Sequence, residues 1–596
     1  MSSELFRNIP STVGQLVGDV RSGRIGLPDL QRPFVWPDSK IRDLFDSMMK
    51  GYPIGFIMLW EAPESYDDKK SSIGLGQKTY DDAKELVIDG QQRLTGLLAA
   101  MYGIKIKDKN YKEKEIKISY NPLTKEFKVW TNATERSAEW ISKVSDVFLA
   151  KEANKISSLR KDYVSSVNGA REKKGQACLS DEEETIIEDN INELLDLVKY
   201  PLPQFEILNT ADEEAVSDIF VRVNSGGQKL NEGNFIQTLL SVYEKDLFDQ
   251  MDAYCAASRI PASGTSYNNI LQLETTHLIR MAVGLGFKRA RLKYAYKLMR
   301  GKDLETEVYS VAERDKNLAI FKDAMSKVMN LNTWHGFLEA IGEAGYQADR
   351  LVAANNAVVF SYVLYLIGKY DYNLPDIKLK RIIAKWFFMA TITRFYTGNF
   401  ESDAETQFLD LKSVRTGEQF CAYLDGKIKA VFTDDYFNIT LPGELESSSA
   451  TSPSWYGFVA SQIVLNTNLL FSNQPIAKFF LPGVSGTKNM IDRHHIFPEA
   501  YLARFNIAGE RAINQIANFV YIDYPNNIDI SDNPPEEYIP AYREKYGVEE
   551  FNKLCSQHAL PDAFETMDYN EFLNQRRKLM AGIVRSAYKK LDDIDS

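Results

Sequence analysis

The sequence predicts a multidomain α+β protein: an α/β unit at the N-terminus, a helical middle and a small strand–strand–helix unit near the C-terminus. Three observations predict it. The 596 residues exceed what one hydrophobic core usually organises. Over the first 245 residues, apolar runs of strand length alternate with helical periodicity, and from there to about residue 435 long amphipathic helices dominate. Near residue 494 a short strand signal returns, paired with a second one some 25 residues on. The implied divisions are 1–245, 246–440, a Ser/Pro/Gly-rich linker at 441–454, and 455–596.

Each element has a local reason. Ile25 to Leu30 reads as a strand, and Pro37-Asp38-Ser39 opens a helix with apolar residues at Ile41, Leu44, Phe45, Met48 and Met49. Gly51 stops that helix, and Tyr52 to Trp60 is an apolar run of strand length. After a polar loop, Leu86-Val87-Ile88 is a short strand, Asp89-Gly90 a tight turn, and Leu94, Leu97, Leu98 and Met101 one face of a helix. Ile116 to Tyr120 and Phe127 to Trp130 read as a hairpin around Asn121-Pro122. Residues 135–200 are charged and helical, a solvated insertion. Phe205 to Leu208 is a strand, and Thr210 with Glu213 a capping box for a helix ended by Gly226-Gly227.

Composition narrows the class. At 44% hydrophobic residues the chain is neither disordered nor fibrous. The net charge of -11, if evenly spread, argues against a nucleic-acid binder, but an average over acidic helices does not exclude a local basic groove. Cys178, Cys255, Cys421 and Cys555 lack any Cys-x-x-Cys spacing, so no structural zinc or disulfide framework is expected. The N-terminal residues do not read as a signal peptide, and the longest apolar stretch, Ala357 to Ile367, falls short of the roughly 20 residues a membrane span needs. A cytoplasmic protein without a membrane partner is expected.

Two constellations carry chemistry. Asp89-Gly90-Gln91-Gln92-Arg93-Leu94-Thr95 lies between a strand and a helix, where free amides and the positive dipole end favour an anion. Arg93 offers a fork to phosphate oxygens, Thr95 a hydroxyl, and Asp89 a carboxylate for a cation or water. Gln31-Arg32 is a second amide–guanidinium pair, with Phe34 and Trp36 as candidate base-stacking rings. The bland alternative is an Arg satisfying local carbonyls. The second constellation is Asn489 to Pro498, where strand alternation points His494 and His495 to opposite faces. One imidazole can then ligate a metal while its neighbour faces a substrate, and imidazole suits proton transfer near neutral pH. His277, His335 and His558 are read as core or surface residues. The basic run Arg576-Arg577-Lys578 reads equally as a phosphate track or as a solvated helix face.

The ordered strings Leu27-Pro28-Asp29-Leu30-Gln31-Arg32-Pro33-Phe34-Val35-Trp36, Gly51-Tyr52-Pro53-Ile54-Gly55 and Val87 through Thr95 resemble a ParB-like nucleotidase domain of GmrSD-type modification-dependent restriction enzymes. Phe220 through Gly227 is similar to a further signature of that domain. The resemblance covers about residues 1–245. It implies that Gln31, Arg32, Asp89, Gly90, Gln91, Gln92, Arg93 and Thr95 bind a nucleoside triphosphate, without resolving GTP, UTP, ATP or CTP. Likewise His494-His495-Ile496-Phe497-Pro498 and Ala517-Asn518-Phe519-Val520 resemble the HNH module of the same proteins, a ββα-metal fold.

Carried over residue by residue, that resemblance implies His495 as general base and Asn518 as the residue orienting the His495 imidazole or its loop. It implies His494 and Asn527 as ligands of one Mg2+ or Mn2+, with Asn526 an alternative to Asn527. The expected whole is an NTP-dependent endonuclease acting on modified phage DNA, a double-stranded partner. The rival is a nucleotide-switched DNA-binding regulator with a non-catalytic HNH unit. The oligomeric state stays open, a homodimer included.

Overall fold

The computed structural model describes residues 5–593 except 29–33, 35, 62–69, 72–84, 109–111, 212–218, 220–239, 241–243, 260, 262–267, 300, 304–305, 307, 309 and 482–490. It is a mixed α+β protein that divides into two compact units, Met1–Gln250 and Met251–Ser596.

The first unit is built on a six-stranded sheet. Its strands are β1 (Phe6–Ile9), β2 (Ile25–Pro28), β3 (Ile57–Glu61), β4 (Lys70–Ser71), β5 (Glu85–Asp89) and, after two shorter strands and a hairpin, β10 (Gln204–Ile207). The shorter pieces are β6 (Ile106–Lys107), which pairs with β7 (Glu113–Lys114), and the hairpin β8 (Ile118–Asn121) with β9 (Glu126–Val129). The sheet order is β1-β10-β3-β5-β2-β4, and β3 runs antiparallel to β5 with Met58 opposite Asp89.

Helices cover this sheet through the faces that periodicity marks. Asp38–Met49 buries Ile41, Leu44, Phe45 and Met48, and Gln91–Tyr102 buries Leu94, Leu97, Leu98 and Met101. The expected strand over 52–60 begins only at Ile57, because Gly51 and Gly55 both take positive φ and turn the chain before it can pair. The charged stretch 135–200 forms helices Val144–Glu152, Ile156–Lys173 and Asp181–Asp196. The last is opened by a Ser180/Glu183 capping box and buries Ile187, Ile191 and Leu194. Glu213 of the expected Thr210–Glu213 capping box and the 220–227 signature lie outside the described residues.

The second unit is predominantly helical. Asn355–Tyr370 and Asp376–Ile392 are apolar on nearly every side and bury Trp386, Phe387, Phe388 and Met389, as a packing surface should. Lys385, inside the second of these, bonds Asp425 (2.6 Å) and Asp592 (2.9 Å). In the segment read as a linker, Leu441 and Leu445 are fully buried, and Ser452 caps the helix Pro453–Val464. Toward the end of this unit, β11 (Ile491–His495) pairs antiparallel with β12 (Phe519–Asp523), with His495 opposite Phe519. Helix Tyr524–Ile530 follows directly, then Pro535–Tyr546, Val548–Gln557 and the long Tyr569–Asp592. Among the described residues no helix is long and apolar enough to cross a membrane.

Candidate functional site

In the first unit, topology assembles the Asp89–Thr95 turn. Because β3 and β5 are antiparallel, the end of β5 lies beside the start of β3, which brings Gly55 and Phe56 next to Asp89 and Gly90. Gly90 (φ +92) caps the Gln91–Tyr102 helix in the left-handed region, where a Cβ would stand 2.4 Å from Ile57 Cδ1. Arg93 folds back and donates from Nη1 to the Phe56 carbonyl at 2.6 Å. A Cβ on Gly55 would lie 3.0 Å from the Arg93 guanidinium, so that glycine leaves the room the arginine occupies.

This arrangement combines the two readings of Arg93. One N–H satisfies a local carbonyl, while Nη2 and Nε have no side-chain or backbone partner among the described residues. Burial raises the Asp89 pKa against the opposing pull of Arg93, and burial lowers that of Arg93 against Asp89. Gln91 donates to the Val87 carbonyl at 3.3 Å, and Gln92 and Thr95 are half-buried beside it. Gln31 and Arg32 lie outside the described residues. Phe34 is no base-stacking ring: it is 4% exposed and packs in the core toward Gly96.

The second unit holds the histidine pair. At the end of β11 the two rings diverge, as strand alternation requires. His494 Nδ1 lies 2.9 Å from Asn527 Oδ1, and His495 Nε2 lies 2.9 Å from Asn514 Oδ1. The helix carrying Asn527 starts where Asp523 caps it, accepting from the Asn526 amide at 3.1 Å, with Pro525 in the first turn. Asn527 then sits one turn in, facing His494. Asn526 is otherwise engaged: its Nδ2 donates to the Phe471 carbonyl (3.0 Å) and Asp523 (2.7 Å), and its Oδ1 accepts from Tyr542.

Asn518 does not touch the His495 ring. Fully buried, it accepts from the Phe497 amide (2.9 Å) and donates to the carbonyls of Phe497 (3.0 Å) and Ile513 (3.2 Å). It therefore clamps the loop that leaves β11 immediately after His495. Arg576, expected on a phosphate track or a solvated face, has neither place. It is 0% exposed and donates to the carbonyls of Ala517 (2.8 Å) and His558 (3.2 Å). Burial lowers its pKa to about 9, which leaves it cationic at neutral pH. His558 is a core histidine, bonded to Gln462 and the Asn468 carbonyl.

A cavity of about 450 Å³ opens onto the pair, lined among others by Arg493, His494, His495, Glu499, Asn527 and Asp532. Ser531 on its rim holds a positive φ (+49), which costs a non-glycine residue backbone strain of the kind concentrated at functional sites. Burial is the main cause of both depressed histidine pKa values; it takes His494 to about 4 and lowers His495 as well. Both rings are therefore neutral at pH 7, as a ligand and a proton acceptor must be.

Among the described residues no cluster of three His, Cys, Asp or Glu forms a metal cage. The His494–Asn527 pair nonetheless fits a hard divalent ion. Nδ1 of His494 and Oδ1 of Asn527, hydrogen-bonded at 2.9 Å, would both face an ion once Nδ1 gives up its proton. The buried Nε2 of His494 has no hydrogen-bond partner among the described residues, and an ion on Nδ1 would place the ring's proton there. Glu499 and Asp532 bring negative charge to the same cavity.

Sequence reasoning missed Asn514, and the only local signal was its place four residues before Asn518. Residues 13–241 match the family model described as the GmrSD restriction endonuclease N-terminal domain. The chain is also similar to an uncharacterized protein of Methanocaldococcus jannaschii, 22% identical over 585 residues that cover 94% of this chain and 91% of that one.

Proposed function

We propose, from the GmrSD-type N-terminal domain that this chain carries, that the protein is an NTP-dependent endonuclease directed to modified DNA, with an HNH-type site of the ββα-metal kind at β11, β12 and helix Tyr524–Ile530. The observation that carries the reading is the divergent histidine pair, one ring against Asn527 and the other opening on the same cavity.

In this reading His495 accepts the proton of the water that attacks phosphorus. Asn518 holds the loop after β11, so the ring does not drift from the attack line. His494 and Asn527 would hold a Mg2+ or Mn2+ ion, which when bound neutralises charge on the scissile phosphate and the leaving oxygen. Arg493, exposed beside the pair and free of carboxylate partners among the described residues, meets the DNA backbone. In the first unit the Arg93 donors that have no partner among the described residues, and the helix N-terminus at Gly90, receive the triphosphate, and Asp89 orients its cation or water. The ParB-like nucleotidase fold and the defence role against phage rest on resemblance.

The test is cleavage of modified and unmodified phage DNA with Mg2+ or Mn2+, with and without each NTP, by wild type and His495→Ala. Cutting by wild type alone supports the reading. Intact DNA under every condition would instead favour a nucleotide-switched DNA-binding regulator with a non-catalytic HNH unit.

A further inference from the structure

The Asn514 side chain belongs to no part of the site described so far except through one bond, to Nε2 of His495. An amide oxygen only accepts, so the proton in that bond must sit on Nε2. A neutral imidazole carries one proton, which leaves Nδ1 with a bare lone pair. No hydrogen bond engages Nδ1 among the described residues, and the ring lines the cavity. The ring's plane is set by Phe519, whose centroid lies 4.8 Å away at a 36° tilt. What remains is a ring flip that exchanges the two nitrogens, and the Asn514 bond opposes it.

Asn514 is itself held firmly. Its backbone ends helix Glu510–Ile513, donating to the Glu510 carbonyl at 2.8 Å. On either side, Tyr569 donates to the Ala512 carbonyl (3.0 Å), Asn518 to that of Ile513 (3.2 Å), and Arg577 to the Gln515 side chain (2.9 Å). Ile516 N–H reaches the Ser447 carbonyl at 2.8 Å. One stretch of backbone therefore carries both asparagines: Asn518 fixes the loop after β11, and Asn514 engages the ring.

We propose that Asn514 is a positioning residue that locks His495 in the Nε2–H tautomer with Nδ1 as the proton-accepting atom. The inference rests on the nuclease reading for its kinetic consequence but not for its structural one. Two measurements separate them. In protein labelled with 15N-histidine, the His495 signal, assigned by its loss in His495→Gln, is expected to show protonated Nε2 and bare Nδ1. Asn514→Leu, the same size without an acceptor, removes that preference, whereas Asn514→Asp keeps it.

In DNA cleavage, Asn514→Leu is expected to lower kcat about 100-fold with KM for DNA unchanged, and Asn514→Asp to stay within about tenfold of wild type. A protonated Nδ1 in wild type overturns the proposal, as does equal activity of the Leu and Asp variants or a change confined to KM. Should wild type cut no DNA, the nuclease reading falls, and the 15N spectrum still decides the tautomer.

Discussion

Asn518 shows how much a single buried amide can hold. Its three bonds join the exit of β11 to Ile513, and each buried partner left bare costs about 1–3 kcal/mol. Asn518→Ala is expected to destabilise the second unit by about 3 kcal/mol, read from its urea midpoint, and to abolish cleavage even in the fraction that stays folded. An unchanged midpoint would mean that the clamp carries no load. His558 makes a second residue-scale prediction. Burial holds its folded pKa at about 3 against an ordinary 6.5, so the unfolded state takes up the proton first as pH falls. Its contribution is complete above pH 6.5 and fades through the window down to about 3, a loss of roughly 3 kcal/mol by pH 4. His558→Asn should flatten that part of the stability profile, and a fold that grew more stable from pH 6.5 to 5 would contradict the assignment.

The divergence of the His494 and His495 rings was legible because both residues stand together in sequence and strand alternation alone separates their faces. Asn514, Asn518 and Arg576 act across folds of the chain. Asn518 could be reached through the resemblance, but the bond that defines Asn514 spans 19 residues and those of Arg576 span 59 and 18. A basic triplet on an amphipathic helix gives no sign that one arginine points inward.

Among the elements, turns decide where chemistry can sit. The Asp89–Thr95 turn exists because Gly90 takes a φ that side chains avoid and because Gly55 leaves room for Arg93. Gly90→Ala must displace Ile57 and strain the cap, so a loss of about 2 kcal/mol from the first unit and at least tenfold slower NTP hydrolysis are expected. Calorimetry and a phosphate-release assay check both, and hydrolysis at the wild-type rate would remove this turn from the site. The helices of this unit were readable from their buried faces, as Asp38–Met49 and Gln91–Tyr102 demonstrate. Helix Tyr524–Ile530 was not: Tyr-Pro-Asn-Asn looks like loop chemistry, and the helix depends on Asp523 as a cap and on Pro525 in the first turn. Missing that helix left Asn526 and Asn527 indistinguishable, since only helical phase separates the one that faces His494 from the one tied to Phe471 and Tyr542.

For the whole molecule, the two constellations fall in separate compact units. The proposed nucleotide and cleavage chemistries should therefore be separable by mutation. Arg93→Ala is expected to reduce NTP hydrolysis at least tenfold without moving the thermal transition of the second unit, whereas His495→Ala ends DNA cleavage and leaves hydrolysis within twofold. Loss of hydrolysis on His495→Ala, with folding intact, would contradict two independent sites. The average charge of -11 concealed this organisation, because composition does not reveal where Arg93 and Arg493 stand.

Arg576 gives the second unit an order of assembly in time. One of the carbonyls it holds, that of Ala517, belongs to the segment between the strands, yet Arg576 arrives on a helix that ends at Asp592, translated some sixty residues later. While the ribosome is still working through that interval, the histidine pair has been made but Arg576 has not. A polypeptide interrupted between Asp523 and this helix would carry both imidazoles, Asn514 and Asn518, but not the arginine that braces Ala517. If the chain cuts DNA as proposed, that activity would be withheld until Arg576 has been made.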